Sequence, residues 1–152
     1  MLRSMLIFLL CLATPSLAST QQPSPRLSPE DVVDLVLLAM ASNDTPEPDA
    51  GIAQAFQFAS PSNKAAIGPF WHFAAVVKQP AYAPLLNHRN RELGPPNINQ
   101  DLASIPVMVV GQSGEVAGYL WSLSRQTEGE YIGSWMTDSV IRIPLGSDLK
   151  SL

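Results

Sequence analysis

A change of period near His88 constrains this chain more than any other feature. Between Ser28 and Leu86 the apolar residues recur at helical spacing, and beyond His88 the period falls to two. Helices first and strands afterwards make an α+β fold: N-terminal helices packed on a curved antiparallel sheet.

The helical half has well-marked starts. Ser28-Pro29-Glu30-Asp31 offers a cap residue, a proline at the first helical position and an acid three after the cap. Val32, Leu35, Val36, Ala39 and Met40 follow at helical spacing, widened by Val33 and Leu37, to an end expected between Ala41 and Asn43. Asp49 is placed to cap a second helix through Ala50 to Phe58. Ser60-Pro61 repeats the start signal for one more turn, and Gly68-Pro69 opens PFWHFAAVVK, with Phe70, Phe73, Ala74 and Val77 in one stripe. Tyr82 to Leu86 predicts a further turn against the core.

The alternating half predicts strands over residues 88–93, 105–110, 116–126 and 135–143. Pro95-Pro96 should end pairing after the first of them. Both faces of the middle strands are apolar. Tyr119, Trp121 and Leu123 point one way and Leu120 the other, while Met108 and Val110 oppose Val107 and Val109. A sheet with one wet face would alternate more cleanly. The convex face is therefore expected to be covered by a second copy of the chain, in a homodimer.

Residues 1–18 read as a signal peptide: Arg3, an apolar run from Met5 to Ala13, then Pro15 and the small-x-small site Ser16-Leu17-Ala18. Cleavage after Ala18 and a secreted or periplasmic location are expected, with no stable membrane span left behind. Residues 19–27 then form a disordered lead-in, 28–143 the α+β domain and 144–152 a polar tail. Cys11, the only cysteine, lies in the leader. Its removal takes disulfides, a thiolate nucleophile and cysteine-bound metal with it. A net charge of −4 without any basic run gives nucleic acid no electrostatic footprint. Asn43-Asp44-Thr45 fits the glycosylation sequon, but Pro46 follows, and the reading adopted is a loop asparagine.

The runs DAGIAQAFQFASPSNKAAIGP, QPAYAPLLNHR, LSRQTEG and SWMTDSVIRI resemble a bacterial and plastid family of unknown function. That family is similar in fold to nuclear transport factor 2, a cystatin-like cone of helices wrapped by a curved sheet. The resemblance covers about residues 28–143, and the chain departs from the pattern at Ile67, His72 and Ser134. It implies a pocket between the helices and the concave sheet face, often with a carboxylate or histidine at its floor. The wider superfamily spans isomerases, dehydratases, polyketide cyclases and proteins without catalysis, so fold does not supply an activity.

Among single residues, His88 suits proton transfer, because small changes of environment move an imidazole across neutral pH. His72, flanked by Trp71 and Phe73, reads as structural. Arg89, Arg91 and Glu92 read as a solvated strand edge with a cross-strand ion pair. Arg125 shares the face of Tyr119, Trp121 and Leu123, and an arginine among aromatics needs a partner. Asp138 on the next strand is expected to supply it, as a structural pair or beside a clamped anionic group; alternatively Asp138 is a general base. Trp121, Trp135 and Met136 would line the pocket. The two histidines lack a carboxylate at ligand spacing, so no metal site is expected, and no cofactor motif is present. Two functions follow. The first is a non-catalytic ligand-binding or assembly module holding a small apolar or anionic molecule. The second is a small isomerase- or dehydratase-like enzyme using Asp138 or His88 as base. The lack of any dyad, metal or G-x-S-x-G motif favours the first.

Overall fold

The computed structural model describes residues 20–145, so the expected signal peptide and most of the tail lie outside the described residues. Helix α1 (Pro29–Ala41) starts as its capping chemistry dictates. The Ser28 hydroxyl accepts the Asp31 amide at 3.1 Å, and the Asp31 carboxylate accepts the Ser28 amide at 2.8 Å. Its inner face places Val32, Val33, Val36, Leu37 and Met40 in the core, where each contributes about 1.5–3 kcal/mol of burial.

Helix α2 (Ala50–Gln57) begins differently from expectation. Asp49 adopts a left-handed conformation and makes no capping bond with its side chain. Asn43, from the end of α1, does the capping instead. Its carbonyl accepts the Gly51 amide at 2.9 Å, and its Oδ1 accepts the Ile52 amide at 3.0 Å. Gly51 permits this close approach, since a Cβ there would collide with the Ala39 carbonyl oxygen. Helix α3 (Pro61–Ile67) does have its expected cap, Ser60, whose hydroxyl accepts the Asn63 amide. After Gly68 the chain forms α4 (Phe70–Val77), then a single 3₁₀ turn at Ala83–Leu85.

Five strands form one antiparallel sheet: β1 (Asn90–Leu93), β2 (Asn97–Asn99), β3 (Leu102–Val110), β4 (Val116–Arg125) and β5 (Trp135–Ile143). Strands β1 and β2 lie in succession along the same side of β3, with β4 and β5 following on the other side. Pairing does stop at Leu93, before Pro95-Pro96, and resumes beyond them in β2, a strand not expected from the sequence. The prolines sit on an edge, where a missing N–H costs no ladder bond. Pro106, inside β3, is tolerated at the same break. Its carbonyl accepts the Gly94 amide at 2.8 Å, so its absent N–H faces the gap between β1 and β2.

The helices cover one sheet face, on which Ala103, Ile105, Val107, Val109, Ala117, Tyr119, Trp121 and Leu123 are all buried. The other face exposes Leu102, Met108 and Ile141. The outer edge of β5 is partly closed by the α2–α3 connection: Thr137 donates to the Phe58 carbonyl and accepts from the Ser60 amide, both at 2.8 Å. The lead-in, expected to be disordered, runs along α2 over its described length. Gln54 donates to the Gln21 carbonyl and Gln57 to the Gln22 side chain, each at 2.7 Å, and Pro23 is buried.

Candidate functional site

The helices do not fill the space above β5, because α3 stands at its edge and α4 packs mainly on α2. A cavity of about 380 Å³ remains between them. Val36 and Met40 of α1, Phe73 and Val77 of α4, and Trp121 of β4 give it apolar walls. Its polar lining is Asn63, Thr137, Asp138 and Ser139. The size lies within the range of small-molecule sites, as does the mixture of apolar walls with few polar groups.

Of the expected pocket residues, Trp121 and Asp138 do line this cavity. Trp121 is held by its indole, which donates to Thr137 Oγ1 at 3.0 Å. Tyr119 is buried beside the cavity rather than in its wall. Its ring stacks on Tyr82 at 6.4 Å between centroids, and its hydroxyl donates to the Ala81 carbonyl at 2.9 Å. Burial pushes that phenol up to about 12, and its role is structural. Trp135 and Met136 are buried outside the lining.

The expected pair of Arg125 with Asp138 does not form. Strand β5 carries a bulge: Ser122 pairs with Ser139 and Leu123 with Thr137, so Asp138 has no partner in the register. Asp138 Oδ1 accepts from the Ser124 hydroxyl at 2.9 Å instead. Arg125 lies opposite Trp135 at the end of the ladder, half exposed, with its guanidinium 4.9 Å from the indole centroid. Its nearest carboxylate is Asp101, at 3.7 Å. Alternation put Arg125 on the correct face, but at the last pair of the ladder its guanidinium lies over the Trp135 ring and reaches solvent. An anion clamp at the cavity is thereby removed.

His88 is buried, yet it does not line the cavity. Its Nδ1 is 2.7 Å from the Leu85 carbonyl oxygen, and Nε2 has no hydrogen-bond partner. Burial lowers its pKa, assisted by the nearby Arg91 charge and opposed by the Leu85 bond. A neutral imidazole locked to the preceding turn is what this geometry provides. His72 is exposed, with Nδ1 2.6 Å from the Ile67 carbonyl at the end of α3. The cross-strand ion pair expected of Arg91 and Glu92 is absent; Arg91 Nε reaches Asp34 Oδ1 of α1 at 2.8 Å. The strand edge is therefore tied to a helix, and it makes no site.

Sequence reasoning missed Asn63, Phe73, Val76 and Thr137 as cavity residues. Phe73 and Val77 were legible only as a helical stripe, and nothing local marks the side of α4 left uncovered. Among the described residues, no group of three or more histidine, cysteine or acidic side chains could hold a metal ion. No helix among them is long and apolar enough to cross a membrane.

The model of the family described as "Domain of unknown function (DUF4864)" matches residues 28–145, nearly all of the described chain. No curated protein and no solved structure matches the sequence.

Proposed function

Because the chain belongs to the DUF4864 family, whose description carries no activity, we propose from its site that it is a non-catalytic binding module for a small apolar molecule. The cavity of about 380 Å³ between α1, α3, α4 and β5 carries this reading. General-base catalysis needs a titratable side chain within hydrogen-bond reach of the substrate. Of the two candidate bases, His88 is buried at the corner after Leu85, and the Asp138 carboxylate is bonded to Ser124, which pairs with Leu102 on the open face of the sheet. The cavity is instead suited to withdrawing apolar surface from water, at about 25 cal/mol per Å².

The same reading takes the arrangement of helices over one sheet face as a nuclear transport factor 2-like cone. It takes the protein as exported, with the leader removed after Ala18, and as a homodimer joined by the open sheet face. The exposed Leu102, Met108 and Ile141 support the last point.

The test uses the purified protein and N-phenylnaphthylamine, an uncharged dye that brightens in apolar sites. Saturable binding of one dye per chain is expected. Ala66 lies at the cavity and is exposed, so Ala66→Trp should obstruct the cavity without disturbing the core. Dye binding that is absent from the parent, or undiminished in Ala66→Trp, would remove the proposal. Native mass spectrometry of the freshly purified protein should find a co-purifying small molecule.

A further inference from the structure

Not every residue that borders the cavity offers it a side chain. On β5, Thr137 pairs with the buried Leu123 and Val140 with the buried Trp121, so both face the helices. Ser139 pairs with Ser122, and the Asp138 carboxylate is bonded to Ser124. These two serines alternate with Trp121 and Leu123, which places the Asp138 and Ser139 side chains on the open face of the sheet. The lining includes no lysine, arginine or histidine. With Asp138 turned away, no charged side chain faces the interior.

The interior does contain a run of hydrogen bonds that stops at a donor. The Trp121 indole donates to Thr137 Oγ1 at 3.0 Å. A hydroxyl that accepts such a bond keeps its own hydrogen to give, and the accepted bond polarises it. Among the described residues no acceptor takes that hydrogen, although Thr137 is only 5% exposed. Asn63 stands beside it, with Nδ2 giving one hydrogen to the Thr137 carbonyl at 3.1 Å and keeping a second. The Val140 carbonyl, across the cavity floor, is already taken by the Tyr82 hydroxyl at 3.1 Å. An unmet donor in an apolar enclosure is costly, and a ligand oxygen placed on it would complete the run.

Given the binding reading above, we propose that the cavity selects uncharged, largely apolar molecules with a hydrogen-bond-accepting oxygen, a ketone or ester before an acid or an amine. That oxygen accepts from the Thr137 hydroxyl, and the apolar part lies against Val36 and Phe73. A carboxylate could accept the same bond, but it would be buried with no cation to offset its charge. An ammonium would be buried unpaired and would bring donors to a donor.

The experiment is displacement of bound N-phenylnaphthylamine, at neutral pH, by butylbenzene, butyrophenone, 4-phenylbutanoate and 4-phenylbutylamine. All carry a phenyl ring on a four-carbon chain, so only the polar group differs. Each charged probe should bind at least about tenfold more weakly than butyrophenone. Thr137→Val puts a methyl group where the hydroxyl stood, in front of the indole N–H. In it butyrophenone should weaken about fivefold relative to butylbenzene, and Thr137→Ser should restore the ratio. Isotope-edited infrared spectra of butyrophenone labelled at its carbonyl carbon supply a readout on the parent alone. The bound carbonyl should stretch at a lower frequency than in alkane solution. A bound carbonyl at the alkane frequency would overturn the donor, whether or not Thr137→Val folds. A ratio unchanged in folded Thr137→Val makes the assignment to Thr137 wrong, and a charged probe that matches the ketone ends the charge selection. Dye that binds the parent but is not displaced by butyrophenone overturns this inference alone and leaves the cavity as a binding site. Dye that does not bind the parent removes the binding reading itself, and this inference with it.

Discussion

Replacing Asn43 by alanine tests the junction that sets α2 on α1. Asn43 is 3% exposed, and its side chain makes three bonds: Oδ1 accepts the Ile52 amide at 3.0 Å, and Nδ2 donates to Asp44 at 2.9 Å and Asp49 at 3.3 Å. The Ile52 amide is buried beneath this cap, and leaving it without an acceptor costs about 1–3 kcal/mol. The two bonds to carboxylates add about 1 kcal/mol, because their far ends are wet. Asn43→Ala should therefore lose about 2–4 kcal/mol, seen as a fall in Tm of roughly 6–15 °C. Thr45→Ala is the matched control. It breaks the same sequon at an exposed side chain, so it should stay within about 0.5 kcal/mol of the parent. Urea and thermal melts of the three proteins, followed by circular dichroism, measure both. An Asn43→Ala melt coincident with the parent would refute the capping role. The same geometry predicts an unmodified Asn43 in any glycosylating host, since Nδ2 is buried with both of its hydrogens committed; a glycan in the intact mass would contradict it.

His88 provides a pH test: its folded pKa lies below the unfolded value of 6.5, so the unfolded chain takes up the proton first as the solution is acidified. The stability associated with the neutral ring is present above that value and is lost as pH falls towards the folded pKa. His88→Gln should lose less stability than the parent between about pH 7.5 and pH 5, and equal losses in urea titrations would exclude the burial argument. Arg125→Ala should cost no more than about 1.5 kcal/mol in a thermal melt, because an exposed stacked arginine lacks the 3–5 kcal/mol penalty of a broken buried pair. Light scattering should give a dimer mass at tens of micromolar protein, weakened by joint Met108→Asp and Val110→Asp; a monomeric parent refutes the sheet-face interface. N-terminal sequencing of the exported protein should begin at Ser19, and a mature chain starting at Met1 would overturn the leader reading.

Elements whose causes lie within a few residues were legible. The capping box at Ser28 opened α1 where expected, and β5 runs between the expected bounds, Trp135 and Ile143. The α+β class followed from the change of period alone. Asp49 shows how a local rule fails: its residue type favours a cap, but the left-handed turn aims its side chain at Lys78, and Asn43 arrives from α1 to do the work. The short strand β2 was hidden because two prolines forbid pairing in general and permit it at an edge.

The site depended on structure more heavily. Alternation correctly placed Arg125 on the face of Trp121, yet one extra residue in β5 took Asp138 out of the register and gave its carboxylate to Ser124. In a two-residue period a single bulge reverses every later inference about facing, and no local composition announces it. His88, read as suited to proton transfer, is buried with Nδ1 at the Leu85 carbonyl and lies outside the cavity lining. Periodicity and capping chemistry, being local, determined the class, most of the elements and the apolar faces that meet. Tertiary structure decided which faces stayed unfilled and which polar groups share the resulting cavity, because both depend on contacts between residues far apart in the chain.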